Sequence, residues 1–191
     1  MPAWKGRPPL KVVVAVGVAL AVAAAIVVGS VYLTAPRATR VGVGDVAPDF
    51  TLPNLIGRAT PFQLSSLRPG PTLVVFFDTH WPGSDAYLRY LDRMVYRRYL
   101  RRGLRMVGVA LDSDLASAQR LVVASELTFN VLSDPEGATV TPLYDRPRDP
   151  EAYLLDAQGR VEAVFTERID WANPVTRQQL ERHLSPPPVI R

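Results

Sequence analysis

Residues 12–35 form an uninterrupted stretch without a charged side chain, composed mainly of valine and alanine. As an α-helix rising about 1.5 Å per residue, this stretch would be about 36 Å long, enough to cross a hydrocarbon core of about 30 Å. The apolar part of a cleavable signal peptide is only about 7–15 residues long. Inside a bilayer the backbone must satisfy its own hydrogen bonds, which favours a helix. The sequence therefore predicts a single transmembrane helix that contacts the lipid bilayer.

Basic side chains flank this stretch unequally. Lys5, Arg7 and Lys11 precede it, and Arg37 and Arg40 follow it. The more basic short flank usually stays in the cytoplasm, and the first flank usually decides the orientation. We therefore expect a single-pass protein of the bacterial cytoplasmic (inner) membrane. Its N-terminus lies in the cytoplasm and its remaining residues lie in the periplasm or extracytoplasmic space.

The formal net charge of the chain is +4, and its pI is about 9.7. Three of the basic residues lie before the apolar stretch, so the remainder carries only about +1. Electrostatic binding to nucleic acid needs a much larger basic surface. The charge therefore predicts no nucleic-acid partner.

The sequence contains no cysteine. The residues of this sequence therefore form no disulfide bond and supply no thiolate nucleophile. They also supply no cysteine ligand to zinc or to an iron–sulfur cluster. No thiol chemistry can be assigned to the chain.

The remaining chain divides by composition into a linker, one domain and a tail. Consecutive prolines near the C-terminus cannot hold a helix and predict an extended segment. The predicted divisions are residues 1–11 for the cytoplasmic N-terminus, 12–35 for the transmembrane anchor, 36–44 for the linker, 45–184 for the domain and 185–191 for the proline-rich tail.

Strand-like and helix-like patterns alternate through the domain. Residues 72–77 are a continuous β-branched and aromatic run, typical of a central strand buried on both faces. Leu88, Leu91, Met94 and Val95 form an apolar stripe on a predicted helix. The order of elements indicates an α/β fold in which helices cover both faces of a mixed sheet. The predicted strands are 72–77, 104–111, 128–132, 151–155 and 161–166, and the predicted helices are 82–102, 114–127 and 174–184.

Several segments resemble redoxin domains in the same order along the chain. They are residues 44–53 (GDVAPDFTLP), 64–68 (LSSLR), 72–77 (TLVVFF), 107–110 (VGVA), 132–137 (LSDPEG) and 150–160 (PEAYLLDAQGR). This thioredoxin-like superfamily includes the AhpC/TSA peroxiredoxins and membrane-anchored thiol–disulfide oxidoreductases of the TlpA/ResA type. The resemblance implies a thioredoxin-like α/β fold, a mixed sheet flanked by helices.

In the resembling families, a Thr-Trp-Cys-Pro-x-Cys loop opens the long helix, because a helix N-terminus lowers the pKa of a thiol. This sequence has the degenerate loop Thr79, His80, Trp81, Pro82, Gly83 and Ser84 at that place. Trp81 and Ser84 occupy the two cysteine positions. The comparison predicts a pseudo-oxidoreductase without catalytic residues.

Two further features follow from the resemblance. It implies that Pro150 is the equivalent of the family's cis-proline, which lies opposite the loop. The run Thr79-His80-Trp81-Pro82 is also similar to the Thr-His-Cys-Pro loop of copper chaperones that serve cytochrome oxidase assembly. Those proteins bind copper through two cysteines and a distant histidine, and the sequence has no such set. Copper binding by that route is therefore not expected.

Polar residues around the loop suggest two other chemistries. Asp78, His80 and Asp85 are metal-ligating residue types, but their spacing matches no known ligand set. Ser84 with His80 resembles a nucleophile and its base, but no third orienting residue accompanies them. The sequence therefore predicts no metal site and no cofactor.

Arginines recur every four residues on the long helix. Arg89, Arg93 and Arg97 would share one face, and Trp81 would lie exposed at the helix start. Arginine and aromatic residues are enriched at interface cores and bind anionic head groups. We predict that these four residues contact an acidic protein surface or lipid heads. The alternative is a solvated face whose arginine stems cover neighbouring tyrosines.

The hypothesis that unites these features is a redox-inactive, membrane-tethered thioredoxin-fold protein, acting as a structural or assembly subunit of a membrane protein complex. One alternative is an extracytoplasmic chaperone that binds peptides beside Pro150. A second alternative is an enzyme of non-thiol chemistry that uses His80, Ser84 and Asp85.

Overall fold

The computed structural model describes residues 40–57, 60–145, 147, 150–166 and 169–184, which belong to one compact unit. The predicted transmembrane helix, residues 12–35, and the predicted tail, residues 185–191, lie outside the described residues. Within the described ranges, no helix is long and apolar enough to span a bilayer. The membrane anchor therefore stays a prediction.

In the part of the chain that the structure describes, seven strands form two sheets. The strands are β1 (Thr51–Pro53), β2 (Pro61–Gln63), β3 (Thr72–Phe77), β4 (Arg105–Ala110), β5 (Asn130–Ser133), β6 (Glu151–Leu155) and β7 (Val161–Thr166). Five of them form a central sheet in the order β5–β4–β3–β6–β7. β3, β4 and β5 are parallel, β6 is antiparallel to β3, and β7 is antiparallel to β6. β1 and β2 form a separate antiparallel pair.

The helices are α1 (Ser84–Leu91), α2 (Arg97–Tyr99), α3 (Leu115–Ala124), α4 (Thr141–Tyr144) and α5 (Pro174–Glu181). A π turn, Asp92–Tyr96, joins α1 to α2, and a 3₁₀ turn, Leu100–Arg102, follows α2. The predicted helix over residues 82–102 is therefore one helical run that contains a wider turn. We call Ser84–Arg102 the long helix.

β3 lies at the centre of the sheet and is buried along its whole length, as its apolar run predicts. Leu73, Val75 and Phe77 belong to the core on one face of the sheet. Val74 and Phe76 belong to the core on the other face. This alternation follows from the period of two in a strand. The loop after β3 is thus held by a strand packed from both sides.

β3, β6 and β7 have the predicted bounds. β5 begins and ends later than predicted, and β4 and the predicted helices are shorter than predicted. The prediction that Met94 belongs to the buried apolar stripe was wrong. Leu88, Leu91 and Val95 are fully buried, but Met94 is 38% exposed. The buried positions continue from Leu91 to Val95 and Tyr99 in steps of four, which leaves Met94 outside the stripe. The sequence did not predict β1, β2 or α4.

Candidate functional site

The candidate site lies where β3 and β4 end side by side. The two strands are parallel, and Phe77 is paired with Ala110 in their register. Asp78 follows β3 directly, and Asp112 comes two residues after the end of β4. Parallel pairing brings the carboxyl ends of both strands to one edge of the sheet. The loop of residues 78–83 leads from this edge into α1.

His80 lies between two carboxylates at this edge. Its Nδ1 is 2.9 Å from Oδ1 of Asp78 and 3.3 Å from Oδ1 of Asp112. The backbone N–H of His80 also donates to Oδ1 of Asp78, at 2.8 Å. One ligating atom from each of the three side chains lies within 4.8 Å of the other two. We call Asp78, His80 and Asp112 the edge cluster.

Asp112 is the buried member of the edge cluster, with 0% exposure. Its Oδ1 accepts the backbone N–H of Thr79 at 3.0 Å and also the Thr79 hydroxyl. Its Oδ2 is buried without a hydrogen-bond partner among the described residues. Burial raises the pKa of the Asp112 carboxyl, and the bonds from Thr79 offset this only in part. The carboxylate is therefore costly to keep charged in this place.

His80 is the exposed member, with a side chain 57% accessible to solvent. The hydrogen bond to Asp78 raises the pKa of His80, and the charge of Asp78 adds to this effect. Asp112 and Asp114 raise it further through their charges. Protonated His80 is thus favoured by every carboxylate around it.

Trp81 and Ser84 are held by the loop itself. Ser84 is buried, and its Oγ donates to the backbone oxygen of Thr79 at 2.9 Å. The Ser84 N–H donates to the Trp81 oxygen at 3.0 Å. Trp81 packs edge-on against Tyr87, with ring centroids 6.1 Å apart. Gly83 has φ 88°, a left-handed conformation that glycine adopts without strain, and lets the chain enter α1.

The sequence grouped His80 with Ser84 and Asp85, but each of these side chains has a different partner. Ser84 bonds to Thr79, and Asp85 forms an ion pair with Arg89 one turn along α1. Asp112, which the sequence analysis did not single out, takes the place expected for Asp85 beside His80. The position of Asp112 directly after the predicted strand 104–111 is the sequence signal that could have identified it as a site residue.

The sequence model of the AhpC/TSA family matches residues 43–164 of this chain. The chain belongs to the AhpC/TSA family. Thiol-disulfide oxidoreductases ResA from Geobacillus kaustophilus and Oceanobacillus iheyensis are 26% and 29% identical to it. The first alignment covers 76% of this chain and 78% of that relative, and the second covers 72% and 74%.

Solved structures show the fold of this AhpC/TSA domain. A Chlorobium tepidum protein assigned as thiol:disulfide interchange protein DsbE matches it with a TM-score of 0.66 at 24% identity. The match covers 75% of this chain and 98% of that protein. The predicted thioredoxin-like α/β fold with a mixed sheet is thereby confirmed.

Pro150 lies buried directly before β6 of the AhpC/TSA domain. Its bond to Asp149 lies outside the described residues, so the predicted cis bond stays a prediction. The next residue, Glu151, is buried, pairs with Phe76 in the sheet register and accepts the Tyr153 hydroxyl at 2.9 Å. Arg40 donates to the same carboxylate at 2.5 Å. This ion pair joins Arg40 to the sheet.

The predicted arginine surface of the AhpC/TSA domain is mostly paired within the chain. Arg89 binds Asp85, and Arg97 Nε donates to the buried Asp92 at 2.5 Å. The spacing of five between Asp92 and Arg97 matches the π turn, in which the Arg97 N–H also bonds to the Asp92 oxygen. Arg93 is exposed and has no ion-pair partner among the described residues. The predicted exposure of Trp81 was wrong, because its ring packs against Tyr87 and is half-buried.

Proposed function

We propose that this chain is a redox-inactive AhpC/TSA domain, tethered to the membrane by residues 12–35, that acts as a structural or assembly subunit of a membrane protein complex. The soluble domain lies on the extracytoplasmic side in this proposal. The observation that carries it is the state of the loop that opens α1, where the family resemblance implies two cysteines.

The loop keeps the position of a reactive site but presents no nucleophile. A helix N-terminus offers free N–H groups and a partial positive charge, which would stabilise a thiolate there. Ser84 instead has a hydroxyl that is buried and donated to the Thr79 oxygen. Trp81 fills the other position with a ring packed on Tyr87. This packing supports a structural use of the loop.

A surface on the long helix supports a protein partner. Ala86, Arg89, Tyr90, Arg93 and Met94 line a shallow groove there. Arg93 is exposed, and Met94 is an exposed apolar side chain beside it. Arginine, tyrosine and methionine are enriched in interface cores. We call this groove the helix groove, and an acidic partner surface would complement Arg93.

Affinity purification from detergent-solubilised membranes, followed by mass spectrometry, tests the proposal. We expect the chain to co-purify with membrane proteins in a fixed ratio. Arg93→Glu should weaken this association, because it places a like charge against an acidic partner. Arg101→Glu is the matched control, since Arg101 is exposed on the same helix but lies outside the helix groove.

A version whose residues 12–35 are replaced by an unrelated membrane helix separates the two contributions. If Arg93→Glu retains the complex and the replaced anchor loses it, the helix groove is not the docking surface. Purification of the wild-type chain alone, without a partner in fixed ratio, would contradict the proposed function.

A further inference from the structure

We propose that Asp78, His80 and Asp112 bind a divalent transition-metal ion of the zinc type at the edge of the sheet. This goes beyond the proposed function and replaces the expectation from the sequence that the loop holds no metal. The structure assigns the site to a different set of residues from the one the sequence suggested, because Asp112 and not Asp85 lies beside His80.

The distances within the edge cluster suit a small cation. Zinc–ligand bonds of about 2.0–2.1 Å place neighbouring tetrahedral ligands about 3.3–3.4 Å apart. His80 Nδ1 lies 2.9 Å from Asp78 Oδ1 and 3.3 Å from Asp112 Oδ1. The side chains of Asp78 and His80 are partly exposed and can turn, so small rotations bring all three atoms around one ion.

Asp112 supplies an independent reason to expect a cation. Its carboxylate is fully buried and faces His80, yet Oδ2 has no hydrogen-bond partner among the residues described. Buried polar atoms are nearly always satisfied, and an unsatisfied carboxylate oxygen is costly. A bound cation compensates this charge directly.

The surrounding bonds already orient the ligands. Thr79 donates to Asp112 through both its N–H and its hydroxyl, and the His80 N–H donates to Asp78. Such contacts fix ligand side chains in metal sites and are part of the affinity. They come from the loop of residues 78–83, whose course is set by the end of β3 and the start of α1.

The ligand types select the class of metal. One imidazole and two carboxylates suit zinc and related transition metals, whereas calcium and magnesium take oxygen ligands only. Three protein ligands leave a fourth tetrahedral position open. His80 is 57% exposed, so water or a side chain of a partner protein can reach an ion bound there and complete the shell.

Isothermal titration calorimetry of the purified full-length protein with ZnCl₂ measures the site. The protein is prepared without a histidine tag, since a tag would bind zinc itself. We expect one ion per chain, and a loss of affinity of at least about tenfold in His80→Ala and in Asp112→Asn. His183→Ala is the matched control, because His183 is the second of the two histidines in the sequence, and it should bind zinc as the wild type does.

NMR spectroscopy and a competition titration with magnesium and calcium accompany the calorimetry. Imidazole signals in NMR should shift with zinc for His80 and not for His183. If Asp112→Asn does not fold by circular dichroism, the exposed His80→Ala variant carries the test. MgCl₂ and CaCl₂ in excess should not displace zinc.

Three results would overturn the proposal. One is the absence of stoichiometric zinc binding to the wild-type protein. Another is binding that persists in His80→Ala or disappears in His183→Ala. The third is displacement of zinc by magnesium or calcium, which would exclude a site of the transition-metal type.

Discussion

Replacing Asp92 by alanine removes the acceptor that joins the long helix to the segment before β5. Asp92 is buried, and its Oδ1 accepts the Thr128 N–H at 2.9 Å and the Thr128 hydroxyl at 2.6 Å. Its Oδ2 accepts Arg97 Nε at 2.5 Å. The substitution therefore removes the acceptor of both Thr128 donors and frees Arg97, and because Thr128 is exposed, water can take the place of the lost acceptor.

The expected loss can be divided between these partners. A hydrogen bond to a charged group contributes about 1.5–3 kcal/mol net, so the two Thr128 bonds give a loss of about 3 kcal/mol at the lower end. Arg97 adds less than about 1 kcal/mol, because its side chain is 51% exposed and the ion pair is screened. We expect Asp92→Ala to lower the free energy of unfolding by about 3 kcal/mol.

Thermal unfolding followed by circular dichroism measures the effect. For a chain of this size, about 3 kcal/mol corresponds to a Tm lower by roughly 6–12 °C. Thr128→Val, which removes only the hydroxyl bond, should cost about half as much. Arg97→Ala should cost less than about 1 kcal/mol. An Arg97→Ala loss equal to that of Asp92→Ala would refute this division, and so would an Asp92→Ala loss below about 0.5 kcal/mol.

The ion pair of Arg97 with Asp92 makes Arg93 the better position at which to test docking at the helix groove. Arg97→Glu would place a carboxylate beside the buried Asp92, so its effect on a complex would be mixed with a loss of stability. Arg93 has no such partner among the described residues. Charge reversal at Arg93 should therefore change stability by less than about 0.5 kcal/mol, as exposed substitutions usually do.

Two further predictions concern the candidate site and the membrane topology. An NMR titration in the absence of metal should give His80 a pKa above its ordinary value, because Asp78 stabilises the protonated ring. Asp78→Asn should lower this pKa. The contact stabilises the folded protein fully below the unfolded-state pKa of His80, and this stabilisation is lost as pH rises through the folded-state pKa. An unshifted pKa would contradict the Asp78–His80 contact. A reporter fused after Arg191 should be active only outside the cytoplasm, and cytoplasmic activity would contradict the predicted orientation.

The sequence predicted those parts of the fold in which a local pattern repeats. β3 was found from its continuous apolar run, and the β6–β7 hairpin from two strand patterns around a turn. The short strands β1 and β2 have only three residues each, too few for a periodic signal. The anchor and the bond before Pro150 lie outside the described residues and stay predictions.

The candidate site was predicted only where its residues are close in sequence. Asp78 and His80 were recognised because they flank the loop that opens α1. Asp112 was missed because its contact with His80 depends on the parallel pairing of β3 and β4. The π turn that pairs Arg97 with Asp92 is likewise absent from the regular helical pattern. The Asp112–His80 contact depends on tertiary structure and the Arg97–Asp92 contact on a local π turn, and residue spacing in the sequence predicts neither.

Turnover of a disulfide or a peroxide by the purified full-length protein decides whether the domain is redox-inactive. The assay follows insulin-disulfide reduction and peroxide consumption, with Trp81→Cys/Ser84→Cys as the comparison, because this variant places two thiols at the N-terminus of α1. We predict no turnover above the blank for the wild-type protein in either assay. Wild-type turnover that scales with protein concentration and stays with the chain through purification would contradict a redox-inactive domain.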